Sequence, residues 1–310
     1  MEPEFARRLQ NIQFEESPLQ PIHDPWLAHQ QINLWLKRDD LLHPIISGNK
    51  WRKLKYSLQH ALSLGCNTLV SMGGAYSNHL HALAFAGQQL GFQTKGLIRG
   101  EPSTPLNPTL QDLQDWGMTL EFVSRSEYRQ LRQYQHWHAL PGLSANQYWL
   151  PEGGAGQWAL PGVAELLTEI TIPYDYLCVA CGTGTTLAGL LTQGLRPTTL
   201  MGFAAFKNAG FLNAEVARQL NEPTLNHWLL NLDYHFGGFA KVTPSLLRFI
   251  QHFEQMTDIA LDPIYTGKML YGLYDLIGQG YFKPGQSIIA LHSGGLQGRR
   301  SGLMNLDQSA

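Results

Sequence analysis

From residue 50 onward, apolar residues recur along this chain in two alternating rhythms. "KWRKLKYSLQHALSLG" places apolar side chains at 51, 54, 58, 61 and 62 and closes on Gly65, which is the spacing of one buried helix face. "NTLVSMGG" (67–74) is a short apolar run ended by glycines and predicts a buried strand. "SNHLHALAFAGQQLG" (77–91) returns to the helical period, with Ser77 as its N-cap and Gly91 as its stop. "FQTKGLIRG" (92–100) predicts a strand, "TLQDLQDWG" a helix and "MTLEFVS" a further strand. "YRQLRQYQHWH" (128–138) is expected to be an amphipathic helix on the surface.

A second series follows "LPEGG" (150–154). "LPGVAELLTEI" predicts a helix, "YDYLCVACG" a strand, "TTLAGLLTQGL" a helix and "TTLMGFAAF" a strand; "QSIIALHSGG" (286–295) is the last strand. Strand, helix, strand at this spacing implies parallel βαβ units with both faces of each sheet covered. The fold class is therefore α/β. Two units are expected, roughly 51–155 and 156–310, with residues 1–50 belonging to the second. A length of 310 residues suits that division, because single cores stop growing near this size.

Composition narrows the function classes. A net charge of −2 gives no electrostatic footprint for nucleic acid or an anionic membrane. The Arg and aromatic residues of 128–138 are thus read as a solvated face, not an RNA-stacking patch. "MEPEFARRLQ" holds no apolar run of the signal-peptide kind, and no window approaches the length of a membrane span, so a soluble cytoplasmic protein is expected. The three cysteines, Cys66, Cys178 and Cys181, form no disulfide framework. Cys178 and Cys181 have C-x-x-C spacing, but no second ligand pair accompanies them, and in a strand they would face opposite sides. We expect core packing there and no metal.

Four stretches end a strand with small polar residues, at the ends where open α/β sheets bind ligands. "ACGTGTTLAGLL" (180–191) offers backbone N–H groups and hydroxyls at a helix start, which suits a phosphate. No lysine follows Gly184 as a Walker motif requires, and Leu187 stands where a dinucleotide fingerprint has its third glycine. A monophosphate fits better. "SMGGAYSNHLH" (71–81) could hold a carboxylate or phenolate at Asn78 and the first N–H groups of its helix. His79 and His81, two residues apart on a helix, point to different faces, which argues against a shared metal. "LDPIYTGKMLYGL" (261–273) presents Tyr265 and Thr266, and "ALHSGGLQG" (290–298) presents Ser293 before two glycines. In "ISGNKWRK" (46–53), Gly48 and Asn49 would let the backbone pass close to a ligand carried by Lys50. A phosphate cup, a lysine amine and neutral hydroxyls together match pyridoxal 5′-phosphate.

The ordered set "SGNKWRKLKY", "SNH", "CGTGTT", "LDPIYTGK" and "LHSGG" resembles the 1-aminocyclopropane-1-carboxylate deaminase and D-cysteine desulfhydrase family. That family belongs to the tryptophan-synthase-β-like, fold type II pyridoxal-phosphate enzymes. The resemblance runs from "LKRDDLLHP" near residue 36 to "HSGG" near 295. It implies two open twisted sheet domains with the cofactor in the cleft between them, the smaller domain inserted in the larger, and a homodimer. It also implies that Lys50 is the Schiff-base lysine, with Asn49 beside it, and that Asn78 bonds the cofactor's ring hydroxyl. Ser77 and the helix start at Asn78 and His79 would hold the substrate carboxylate. Gly182, Thr183, Gly184, Thr185 and Thr186 would cradle the phosphate, Tyr265 would stand over the reacting face, and Ser293 would meet the pyridine nitrogen.

A neutral hydroxyl at the ring nitrogen makes the ring a weaker electron sink, which favours prompt loss of a β substituent over a long-lived carbanion. Deaminases of the family carry Glu after the tyrosine and Leu before the glycine pair; Thr266 and Ser293 stand here. That is the desulfhydrase pattern, and the expected products from D-cysteine are sulfide, pyruvate and ammonia. Ring-opening of 1-aminocyclopropane-1-carboxylate is the alternative reaction, and a non-catalytic cofactor or phosphate binder the alternative class. Tyr76, Ala155 and Gly156 depart from the residues usual in the family.

Overall fold

Short apolar runs between glycines form the strands of two sheets in this computed structural model, which describes residues 3–46, 48–193, 198–220 and 226–304. In chain order the strands are β1 (Leu19–Pro21), β2 (Asn33–Lys37), β3 (Thr68–Gly74), β4 (Gln93–Arg99), β5 (Met118–Val123), β6 (Gln147–Leu150), β7 (Tyr176–Cys181), β8 (Thr199–Ala204), β9 (Trp228–Asn231) and β10 (Ser287–Leu291). The chain divides into two compact units. The first holds Met1–Glu15 and Leu42–Val163, the second Glu16–Leu41 and Ala164–Ala310.

The first unit carries a four-stranded sheet in the order β5-β4-β3-β6, parallel throughout. β3 is buried almost end to end, as expected of a central parallel strand covered on both faces. The helix Asn78–Leu90 starts where Ser77 Oγ accepts from Leu80 N at 3.2 Å and ends at Gly91, as its sequence predicts. Chain order runs outward from β3 to β5 and then returns to β6 on the other side of β3. Loops leaving β3 and β6 therefore flank a switch point, the usual ligand position in such sheets.

The second unit repeats that logic. Its six strands run β1-β2-β10-β7-β8-β9, parallel except for the antiparallel pair β1 and β2. The order reverses between β7 and β10, so the loops after Cys181 and after Leu291 leave the same end of neighbouring strands. Cys178 and Cys181 are both buried on β7, and neither is in a disulfide. Burial pushes the Cys178 thiol well above its usual range.

Three expectations need correction. The stretches up to Glu15, from Leu42 to Lys50 and from Gly156 to Val163 belong to the first unit and not the second; Phe5, Ile12 and Ile46 are buried in its core and Arg8 Nη1 donates to Leu90 O at 2.8 Å. The helix expected over 128–138 stops at Leu131. Beyond it Tyr134 O accepts from Trp149 Nε1 at 2.7 Å and Trp137 stacks on Tyr148, so burial of aromatics sets the path of the chain. The helix expected over 160–170 is α-helical only across Ala159–Ala164 and tightens to a 3-10 turn over Glu165–Glu169, which buries the adjacent Leu166 and Leu167. The end of the helix expected after Thr185 lies partly outside the described residues.

Candidate active site

In the first unit, the helix Asn49–Ser63 begins behind Gly48, whose φ of 63° and ψ of −145° fall in a region that only glycine adopts readily. Asn49 is buried and Lys50, the second helical residue, is half-buried. The Ser-Gly-Asn run before Lys50 thus has a backbone cause at its glycine. Among the described residues, Ser77 and His79 converge on the neighbouring strand ends. A Cβ on Gly73 would lie 2.5 Å from Ser77 Oγ, so the Ser77 turn folds tightly over the end of β3.

His79 is 2% exposed. Its Nε2 lies 2.9 Å from Ser71 Oγ, and Ser71 Oγ donates to Leu150 O at 2.7 Å. The hydroxyl proton being committed to that carbonyl, Nε2 must carry the imidazole hydrogen and Nδ1 must be the bare nitrogen. Nδ1 is buried with no hydrogen-bond partner. Burial, together with the nearby charges of Lys50 and Lys53, pushes the His79 pKa down to about 3, so the ring is neutral. Nδ1 faces Gly154, where an added Cβ would come within 3.2 Å of it. His81 points elsewhere, to Asp112 Oδ2 at 3.0 Å and edge-on to Trp116.

The turn carrying Gly154 is fixed through Glu152. Tyr128 Oη donates to Glu152 Oε1 at 2.6 Å, and Arg132 donates through Nε and Nη2 at 2.7 and 3.1 Å. The Arg99 and Arg132 guanidinium carbons each lie 5.4 Å from the Tyr128 ring centre. Tyr76 is 39% exposed, and a Cβ on Gly156 would meet nothing within 4 Å.

In the second unit, β7 runs into Gly182 and then a turn to the helix Thr185–Leu191, with Gly184 left-handed at φ 74°. Thr183 Oγ1 and Thr185 Oγ1 are 2.9 Å apart, and Thr185 and Thr186 are buried. Tyr265 closes over this turn. A Cβ on Gly182 would lie 3.3 Å from Tyr265 Cε1 and 3.4 Å from its hydroxyl. Asp262 positions the tyrosine: Oδ1 accepts from Ile264 N at 3.0 Å and Tyr265 N at 2.6 Å, and Oδ2 from Thr266 N at 2.8 Å. Thr266 is fully buried, and its Oγ1 has no hydrogen-bond partner. Ser293 is half-buried beyond β10. His292 before it donates through its backbone to Lys37 O at 2.9 Å and through Nε2 to Ala260 O at 2.7 Å. Its Nδ1 accepts from Gly294 N at 3.3 Å. The turn bearing Ser293 is thereby held from both sides.

Thus the structure gathers Lys50, Ser77, Asn78 and His79 in one unit, and Gly182–Thr186, Tyr265 and Ser293 at the shared strand end of the other. A glycine cradle under a tyrosine, adjacent threonine hydroxyls and a helix start fit a phosphate group. The partnerless Thr266 hydroxyl and the bare His79 nitrogen are buried polar atoms of the kind that a bound polar molecule satisfies. No group of His, Cys, Asp or Glu among the described residues is arranged to hold a metal ion.

The fold and these loops define a pyridoxal-phosphate enzyme, and the comparisons agree. A family model described as "Pyridoxal-phosphate dependent enzyme" matches residues 14–294, and the chain belongs to that family, with pyridoxal 5′-phosphate as its cofactor. Its relatives fall within the 1-aminocyclopropane-1-carboxylate deaminase and D-cysteine desulfhydrase group. A Pyrococcus horikoshii protein provisionally named 1-aminocyclopropane-1-carboxylate deaminase is 31% identical over 287 residues, covering 86% of this chain and 85% of the relative. An Arabidopsis thaliana mitochondrial protein, named as a bifunctional D-cysteine desulfhydrase and 1-aminocyclopropane-1-carboxylate deaminase, is 27% identical, covering 86% of this chain and 73% of its own. The crystal structure of a homologue of 1-aminocyclopropane-1-carboxylate deaminase superposes with a TM-score of 0.75 at 27% identity, covering 98% of this chain and all of the other.

Sequence reading missed Asp262, Glu152 and Lys268. Asp before Pro is a turn signal that could have drawn attention to Asp262. Lys268 closes the "LDPIYTGK" motif and Glu152 stands in "LPEGG", but both owe their roles to partners distant in sequence, so neither was assigned one.

Proposed function

We propose that this enzyme eliminates a β substituent from a small amino acid, with D-cysteine as substrate and sulfide, pyruvate and ammonia as products. The observation that carries this reading is the neutrality of the second unit's strand end. Thr266 is buried with a partnerless hydroxyl where deaminases of the family carry a carboxylate, and the group after His292 is the hydroxyl of Ser293. When bound, the cofactor supplies an electron sink that acidifies the substrate Cα–H.

The chain's own groups do the rest. Lys50 Nζ bears the cofactor and moves the Cα proton. Gly182, Thr183, Gly184, Thr185 and Thr186 bind its phosphate, Asn78 orients its ring hydroxyl, and Asn49 lines it beside Lys50. Ser293 Oγ meets the ring nitrogen without donating a permanent charge. Ser77 and the backbone at Asn78 and His79 bind the substrate carboxylate, and Tyr265 Oη stands ready to hold a proton over the phosphate end. His79, kept neutral, adds no charge that would compete with Lys50. The proposal includes a homodimer and a cytoplasmic location; no described helix is long and apolar enough to cross a membrane.

A second reading, ring-opening of 1-aminocyclopropane-1-carboxylate, is favoured by the names of the relatives. Both are tested by assaying sulfide and pyruvate from D-cysteine and 2-oxobutyrate from the cyclopropane amino acid, beside Lys50→Ala and with L-cysteine as comparison. Sulfide from D-cysteine, lost in the variant, supports the proposal; 2-oxobutyrate without sulfide overturns it in favour of the second reading.

A further inference from the structure

Lys268 is 2% exposed, and the reaction as described makes no use of it. Its Nζ donates to three backbone carbonyls, Ala205 O at 3.1 Å, His235 O at 3.0 Å and Gly238 O at 2.9 Å. An ammonium has three donors and no acceptor, so these carbonyls consume its whole capacity. Two of them belong to one loop. There Phe236, Gly237, Gly238 and Ala240 have φ of 52°, 92°, 144° and 53°, a run of left-handed backbone that is unfavourable for the non-glycine members. Between them Phe239 is 48% exposed, and its ring stands edge-on to Tyr265, 6.1 Å between centres.

A cage of main-chain carbonyls around one compact cation is the chemistry by which proteins replace the hydration shell of a monovalent ion. We propose that Lys268 is a positioning residue, a built-in monovalent cation whose carbonyl ligands lock the 235–240 loop and so hold Phe239 against Tyr265. Burial lowers the Lys268 pKa to about 8, offset in part by Asp262, so the ammonium is charged at neutral pH. Lys268 lies in the same helix, Thr266–Gly278, that begins just after Tyr265, so one rigid element carries both the tyrosine and the clasp. Naming Tyr265 as a substrate-side group rests on the proposed function; the clasp itself does not.

The test replaces the tethered cation by a free one. Lys268→Ala takes the ammonium donor from all three carbonyls, leaving His235 O only the Gly238 N–H at 3.1 Å and Gly238 O only the Lys241 N–H at 3.2 Å, and opens a hole the size of the side chain. Potassium, close in size to an ammonium, should enter it, whereas choline cannot. Holoenzyme is treated with trypsin in equal concentrations of potassium chloride or choline chloride, and cleavage after the exposed Lys241 is followed by mass spectrometry. Lys268→Ala should be cut about tenfold faster than wild type in choline, with the rate recovered in potassium, since the buried Ala205 O loses its ammonium donor and the loop loses two charge-assisted bonds. Wild type should not respond to the choice of cation. Lys268→Met, whose chain fills the hole without a charge, should be cut fast in both salts. Cleavage of Lys268→Ala at the wild-type rate, or equally fast in both salts, overturns the proposal. If Lys268→Ala does not fold, wild-type-like protection of Lys268→Met overturns it instead. With a working substrate, KM in Lys268→Ala should fall back toward wild type on adding potassium while bound cofactor stays constant. The proteolysis result stands even if D-cysteine proves not to be the substrate.

Discussion

His79 gives the sharpest test of the first unit's electrostatics. The imidazole is buried, hydrogen-bonded through Nε2, bare at Nδ1, and held near pKa 3 against an ordinary 6.5. Because the folded pKa is the lower one, the unfolded chain takes up a proton that the folded chain refuses. Stability is therefore full above pH 6.5, falls as pH drops through that value, and stops falling only near pH 3. Each pH unit in that window costs about 1.4 kcal/mol, so between pH 7.5 and pH 5.0 this one residue removes about 2 kcal/mol. His79→Gln keeps an N–H donor for Ser71 and abolishes the titration. The assay is urea unfolding of wild type and His79→Gln at the two pH values, followed by tryptophan fluorescence, since five of the eight tryptophans lie in the first unit. Other carboxylates and histidines titrate alike in both proteins and cancel in the difference. The variant should gain about 2 kcal/mol relative to wild type on acidification to pH 5.0. Curves that stay parallel across this range would refute the neutral, desolvated His79 described above.

Three further outcomes follow from the same geometry. Asp262→Ala strands the N–H groups of Ile264, Tyr265 and Thr266 and should cost about 3 kcal/mol in urea unfolding of the second unit, with Asp262→Asn losing less because its remaining oxygen can still accept. Gly48→Ala must force a side chain into a backbone region that it resists, so about 1–3 kcal/mol of stability should go, together with cofactor retention measured by visible absorbance after dialysis. Gly182→Ala pushes a methyl against Tyr265, so equilibrium dialysis should show cofactor affinity falling by about tenfold, roughly 1.4 kcal/mol, with the thermal midpoint little changed.

Much of this is legible in the sequence, and the reasons are local. β3 and the helix after it were readable because an apolar run, a serine cap and a glycine stop are all decided within a few residues. The loop after β7 was readable for the same reason: glycines and threonines between strand and helix mark a tight turn that presents backbone N–H groups at a helix start. The placement of residues 1–15 was not, because Phe5 and Ile12 find their core partners across the fold. The early end of the helix at Leu131 was equally hidden, being imposed by Trp149 and Tyr148 from a distant strand. The tautomer and neutrality of His79 depend on Ser71, Leu150 and Gly154, which only the sheet brings together. Periodicity finds elements and their ends; which buried polar groups share a neighbourhood is a property of topology.

The central claim is that Lys50 carries the cofactor. Borohydride reduction of the purified holoenzyme fixes pyridoxal covalently to the amine that bears it, and peptide mass spectrometry locates it. A pyridoxyl group on Lys50, absent in Lys50→Ala, is the result the account predicts; a pyridoxyl group on Lys53 or Lys268, with Lys50 unmodified, would contradict it.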